Sequence, residues 1–136
     1  MPESHHLVRV LNPVACMRSR FDNIASKIKS DTETEVRRIK SLMIPAFYFL
    51  LDKFEFESFR NARRFLDSFI QLTQHTSYRR IQTRQNIHLY KILEQLYIFL
   101  SRNRQDYDLN SRFIDYELNN KARETRAMFE RLKKLD

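Results

Sequence analysis

The chain has 136 residues and a mass of 16.7 kDa, which is the size of one domain. Its 25 lysines and arginines outnumber its 17 aspartates and glutamates, so the formal net charge is +8. The chain contains no glycine, whereas an average sequence contains about 7%. This absence excludes glycine-rich phosphate loops, the dinucleotide-binding fingerprint, the nucleophile elbow and the EF-hand, and it disfavours all-β folds that depend on glycine turns.

The cysteine content indicates the compartment, and the hydropathy pattern indicates whether the chain spans a membrane. Cys16 is the only cysteine, so an intramolecular disulfide is impossible, and we expect a reducing intracellular compartment, without an indication of the organelle. The longest apolar run, residues 43–51, is interrupted by Pro45 and is much shorter than the roughly 18 residues that a membrane span needs. We therefore expect no membrane-spanning segment.

The first predicted helix follows a flexible N-terminus of residues 1–12. Asn12 followed by Pro13 is typical of a helix start, because asparagine caps the first turn and proline fits its first position. Apolar residues then recur at alternating spacings of three and four: Val14, Met17, Phe21, Ile24 and Ile28. This spacing predicts one amphipathic helix over 13–29.

Four further helices complete a single all-α domain over residues 13–136. Their predicted ranges are about 31–53, 55–74, 78–102 and 111–134, and Ser30 and Asp31 are candidate caps for the first of them. Pro45 lies inside the first of these ranges, so we expect a kink or a restart near residues 44–45. Because the linkers are short, consecutive helices are expected to be antiparallel neighbours. The sequence therefore predicts an antiparallel bundle of four to five helices, kinked near Pro45.

Most of the excess positive charge falls in residues 60–91, which we call the basic hairpin. This segment contains seven lysines and arginines against Asp67 alone, a net charge of +6. The predicted anion-binding residues are Arg60, Arg63, Arg64, Arg79, Arg80, Arg84 and Lys91. Their helical spacing predicts one basic face on the helix of 55–74 and another on the helix of 78–102, and the two are expected to merge. Such a strip suits phosphates, because arginine presents them with a planar fork of donors.

The main functional hypothesis is a non-enzymatic binding or adaptor module. Its basic hairpin is expected to engage an anionic partner, which is either the backbone of RNA or DNA or an acidic protein surface. Tyr78 and Tyr90 flank the basic residues, and we expect them either to stack on bases or to form half-buried edges of the core. No signature of sequence-specific recognition is present. Apolar residues on the thin last helix predict self-association or docking to a protein partner.

Two other classes of function remain open. Arg84 and His88, one turn apart on the predicted helix of 78–102, would suit a metal-free ribonuclease in which histidine is the general base and arginine stabilises the phosphate charge. The chain would instead be a structural subunit of an obligate complex if its 11 phenylalanines and 6 tyrosines exceed what so small an interior can bury. No spacing of Cys and His indicates a metal site, and no cofactor is expected.

Overall fold

The computed structural model describes residues 12–26, 31–103 and 112–135, and within these ranges the chain is helical with no β-strand. Its α-helices are α1 (Pro13–Ser26), α2 (Thr32–Ser41), α3 (Met43–Phe56), α4 (Phe59–Gln74), α5 (Thr76–Arg84), α6 (Tyr90–Arg102) and α7 (Asn119–Leu135). A π-helical segment, π1 (Phe113–Leu118), leads directly into α7. The predicted all-α class is confirmed. Residues 1–11 of the predicted flexible N-terminus lie outside the described residues, so that prediction is not addressed.

Two helices begin at the capping residues that the sequence indicates. The Oδ1 atom of Asn12 accepts hydrogen bonds from the backbone amides of Val14 and Ala15, both at 3.1 Å. Pro13 occupies the first position of α1, where the helix has no use for a backbone donor. Asp31 caps α2 in the same way through its carboxylate. Local hydrogen bonding therefore sets both helix starts.

The restart expected near Pro45 is present, slightly upstream of the predicted position. α2 ends at Ser41, α3 begins at Met43, and Leu42 lies between them. In a continuous helix, the ring of Pro45 would clash with the carbonyl of Ser41, four residues earlier. With α3 beginning at Met43, Pro45 lies in the first turn, where backbone N–H groups have no partner within the helix.

The predicted single helix over 78–102 is wrong, because the chain forms two helices here. α5 ends at Arg84 and α6 begins at Tyr90, so residues 85–89 form a non-helical link, which we call the junction. Asn86 has a positive φ of 55° in this link. The backbone N–H of Ile87 donates to the carbonyl of Gln82 at 2.8 Å, which is the long hydrogen bond that closes a helix with a left-handed residue after its cap.

Burial explains why the junction is not helical. Ile87 and Leu89 are both fully buried. Residues two positions apart lie on different sides of a helix, so a continuous helix would bury one of these side chains and turn the other away from the core. The break allows both side chains to enter the core.

The core lies where the helices meet around Phe21, Leu50 and Phe69, all fully buried. α1 packs against α2, α3 and α5, and α4 packs against α3. α7 packs against α5 and α6, and Phe129 lies against Tyr90 with ring centroids 5.3 Å apart. The last helix therefore packs within its own chain.

Two predictions concern the chain as a whole: that it has no membrane-spanning segment, and that it forms an antiparallel bundle of four to five helices. Within the described ranges, no helix is long and apolar enough to cross a membrane. An antiparallel bundle of four to five helices remains a prediction, since the helices expected at 31–53 and 78–102 are each divided in two.

Candidate anion-binding surface

The basic hairpin presents most, but not all, of its cationic side chains to solvent. The exposed members are Arg60, Arg64, Arg80, Arg84 and Lys91. Arg63 and Arg79 are half-buried. The surface therefore separates into exposed cations and cations engaged with neighbouring helices.

Arg63 and Arg79 are the engaged members, and each turns toward a different element. The guanidinium of Arg63 forms an ion pair of 2.5 Å with Glu117 of π1. The Nη1 atom of Arg79 lies 3.3 Å from the Sδ atom of Met128 on α7. These contacts draw both arginines away from a common strip.

The junction also changes the arrangement of the remaining cations. Arg84 is the last residue of α5, and Lys91 lies in the first turn of α6. The prediction that Arg80, Arg84 and Lys91 share one side of a single helix is therefore wrong. Instead, Arg84 and Lys91 stand on either side of the junction, and both are exposed.

Neither predicted stacking residue is placed to stack on a base. Tyr78 is 5% exposed, stacks on His75 at 4.6 Å and donates its hydroxyl hydrogen to the Asp22 carboxylate. Burial, reinforced by this hydrogen bond and the charge of Asp22, raises the pKa of Tyr78 to about 12. Tyr90 is 4% exposed, and its ring contacts Phe129. Both rings are part of the protein interior.

Lys133 of α7 holds the junction in place. Its Nζ atom donates to the carbonyl oxygen of Thr83 at 2.9 Å and to the Oδ1 atom of Asn86 at 2.7 Å. The first bond places a cation at the C-terminal end of α5, where the helix dipole favours positive charge. Lys133 therefore caps α5 and brings a charge from a distant part of the sequence to the basic hairpin.

His88 lies in the junction and experiences a strongly positive environment. Its ring is half-buried, and burial lowers the pKa of the imidazole. The side chains that lower this pKa further are, in decreasing order of effect, Lys91, Lys133, Lys40 and Arg126. These residues belong to α2, α6 and α7, so cations on three helices act on the charge of His88.

Arg126 differs from the lysines because its charge is already balanced. Its guanidinium pairs with Glu94 at 2.8 Å and with Glu130 at 3.0 Å, and it lies over the ring of Tyr90. By contrast, no carboxylate within the described ranges forms an ion pair with Arg84 or Lys91. At the junction, Arg84 and Lys91 are therefore exposed cations whose charge no carboxylate within the described ranges balances.

Lys40 and Lys133 both act on the charge of His88, although neither belongs to the basic hairpin. Both lie in the last turns of their helices, where a basic residue usually serves the helix dipole. Their distance in the sequence from the basic hairpin gives no indication that they converge on it. The packing of α7 against α5 and α6 places Lys133 at the junction, and the charge of Lys40 lowers the pKa of His88.

A groove of the described surface lies elsewhere, between α4 and the π1–α7 segment. It has a volume of about 970 Å³ and an apolar floor that includes Leu66, Ile70 and Phe113. Its charged side chains have both signs, and some are paired with one another, as in Arg63 with Glu117 and Lys121 with Glu124. This mixture does not favour an anion over a cation.

The arrangement of catalytic candidates also differs from prediction. Arg84 and His88 do not lie one turn apart on a helix, because α5 ends at Arg84 and His88 belongs to the junction. Cys16 is a free, half-buried thiol. Among the described residues, no three His, Cys, Asp or Glu side chains are grouped so that they could hold a metal ion.

Comparisons with known proteins add no functional information. The chain matches no protein-family model, and no curated protein and no solved structure is significantly similar to it. The functional argument therefore rests on the chemistry of the surface itself.

Proposed function

We propose that this protein is a non-enzymatic binding module that engages the phosphate backbone of a nucleic acid through the exposed cations of the basic hairpin and the junction. The observation that carries this proposal is the position of Arg84 and Lys91. They are exposed on either side of the junction, and no carboxylate within the described ranges forms an ion pair with them. Lys40 and Lys133 add positive charge to the same region.

Phosphates suit this surface better than carboxylates on a folded partner. Nucleic acid presents closely spaced negative charges along a strand, and cations distributed over several helices can each neutralise one of them. An acidic protein would need carboxylates placed in a matching pattern. Single-stranded RNA is the simplest probe, because a flexible strand can adapt to cations on either side of the junction.

The proposal is tested by measuring the affinity for a labelled uridine oligonucleotide over a range of salt concentrations. If about four phosphates are neutralised, a plot of log affinity against log salt concentration has a slope of about −3 for a single strand. Binding detected by fluorescence anisotropy should therefore weaken by more than tenfold between about 50 and 200 mM salt. A duplex DNA of equal length, measured in parallel, tests whether strand flexibility is needed.

The test includes a control for RNA cleavage and an outcome that would contradict the proposal. RNA recovered from the binding reaction should be intact, since shortened RNA would favour the ribonuclease hypothesis. Absence of binding at low salt, or binding that does not depend on salt, would contradict the proposal. In that case the exposed apolar side chains of Ile44 and Phe56, 71% and 76% exposed, would favour a subunit of a protein complex.

A further inference from the structure

The structure fixes the ring of His88 in the junction from two sides. Its Nδ1 atom lies 3.2 Å from the hydroxyl oxygen of Tyr90. Its ring packs against Phe129, with centroids 4.8 Å apart. His88 is therefore held in one orientation by α6 and α7, although it belongs to a non-helical link.

The contact with Tyr90 occupies the Nδ1 atom of His88 and leaves Nε2 outside it. Burial raises the pKa of Tyr90, so its hydroxyl keeps its hydrogen at neutral pH. A hydroxyl that donates this hydrogen to Nδ1 places the hydrogen of the neutral imidazole on Nε2. The Nε2–H group is then a hydrogen-bond donor that the Tyr90 contact leaves available.

The charged side chains that lower the pKa of His88 are all cationic, and they belong to α2 (Lys40), α6 (Lys91) and α7 (Lys133 and Arg126). The backbone N–H of Lys91 also donates to the carbonyl of His88 at 3.1 Å. Lys133 uses its Nζ hydrogens on Thr83 and Asn86, whereas Lys91 is exposed and has no ion-pair partner within the described ranges. The carboxylates on the facing helices, Glu94 and Glu130, are engaged by Arg126.

We infer that the junction is a binding site for one phosphodiester group of a nucleic acid strand, with His88 and Lys91 as donors to its oxygens. This inference rests on the proposed function, because it assigns one contact within the nucleic-acid surface. Lys133 has a positioning role, since it holds Asn86 and the end of α5, and its charge adds to the attraction.

Binding of a phosphodiester at this position has a distinctive linkage to pH. Without a ligand, burial and, after it, the positive charges of Lys91, Lys133, Lys40 and Arg126 disfavour the imidazolium form of His88. An anion beside the ring offsets these charges, so it raises the pKa of His88. By reciprocity, binding must tighten as the pH falls and His88 gains its proton. The phosphodiester itself keeps a constant charge over this range.

The test is an NMR titration of the histidine ring protons between about pH 5 and 8, with and without a saturating uridine oligonucleotide. We expect the oligonucleotide to raise the pKa of His88 by about 1, and affinity to increase about tenfold across the same range. The His88→Gln variant identifies the His88 signal.

The outcomes separate this inference from the proposed function. If the oligonucleotide binds with a steep salt dependence but leaves the pKa of His88 unchanged, the phosphodiester site is wrong and Lys133 is a helix cap only. If the oligonucleotide does not bind, the proposed function fails. The Lys91→Gln variant, which changes an exposed side chain and should fold normally, is expected to reduce the rise in the His88 pKa. A full rise in that variant would contradict the role of Lys91.

Discussion

Replacing Arg84 and Lys91 together with glutamate is expected to weaken binding of single-stranded RNA about 100-fold at low salt. The double variant removes two attractions and adds two repulsions, and each is about 0.7–1 kcal/mol for charges separated by a few ångströms in a water-like environment. The total of roughly 3 kcal/mol corresponds to about a 100-fold loss of affinity. Fluorescence anisotropy with a labelled uridine oligonucleotide measures the effect. Both side chains are exposed, so the fold should be retained.

A matched variant distinguishes a local effect from a change in net charge. Arg37 pairs with Glu33 on α2, and Lys121 pairs with Glu124 on α7, so each cation is already balanced by a neighbouring carboxylate. Replacing these two residues with glutamate changes the net charge by the same amount. We expect its loss of affinity to be about threefold or less, reflecting long-range repulsion alone. Equal losses in the two double variants would mean that binding depends on total charge and not on this surface.

Truncating Phe69 to alanine is expected to lower the free energy of unfolding by about 3–5 kcal/mol. Phe69 lies on α4 and is fully buried in the core. The substitution removes a large apolar side chain and leaves a cavity that the surrounding helices can only partly fill. Urea unfolding followed by circular dichroism measures the change. A loss of this size is a large fraction of the total stability of a domain of this length.

Phe56 is the matched control for this prediction, because it is also a phenylalanine and is 76% exposed at the end of α3. Its replacement by alanine should change the free energy of unfolding by no more than about 0.5 kcal/mol. If Phe69→Ala were equally mild, the core would not be organised around Phe69. If Phe56→Ala were strongly destabilising, the exposed position of its ring would be wrong.

The parts of the fold that sequence analysis predicted well are those set by local chemistry. Asn12 and Asp31 satisfy the first amides of α1 and α2, so the residues that form these caps also identify them in the sequence. The restart at Leu42 follows from the steric requirements of Pro45. These features depend on residues within one or two turns of each other.

The break at the junction was missed because two signals conflicted. The apolar positions Ile81, His88, Ile92 and Leu96 follow a helical spacing through the break, which predicts a continuous helix. Asn86, which tolerates a positive φ and is common just after helix ends, indicates a stop. The core decides between them, since the break buries Ile87 and Leu89 together. Periodicity along one segment does not contain that information.

Only part of the candidate site could be predicted from the sequence, because some of its properties depend on how distant helices pack. The exposed cations Arg84 and Lys91 belong to the segment with the highest charge, which the sequence shows directly. Lys133 reaches the junction through the packing of α7 against α5 and α6, and Lys40 lowers the pKa of His88 although it lies outside the basic hairpin. The burial of Tyr78 and Tyr90 depends on the same packing. A single sequence does not specify which distant residues meet.

The most direct test of the central claim is to map the binding surface by following backbone amide chemical shifts during titration with a uridine oligonucleotide. The basic surface predicts that the largest changes cluster at residues 84–91, with smaller changes near Lys40 and Lys133, and that they diminish as salt is added. Changes confined to the groove between α4 and π1, or spread evenly over the protein, would contradict the account and would require a different function for the cations around the junction.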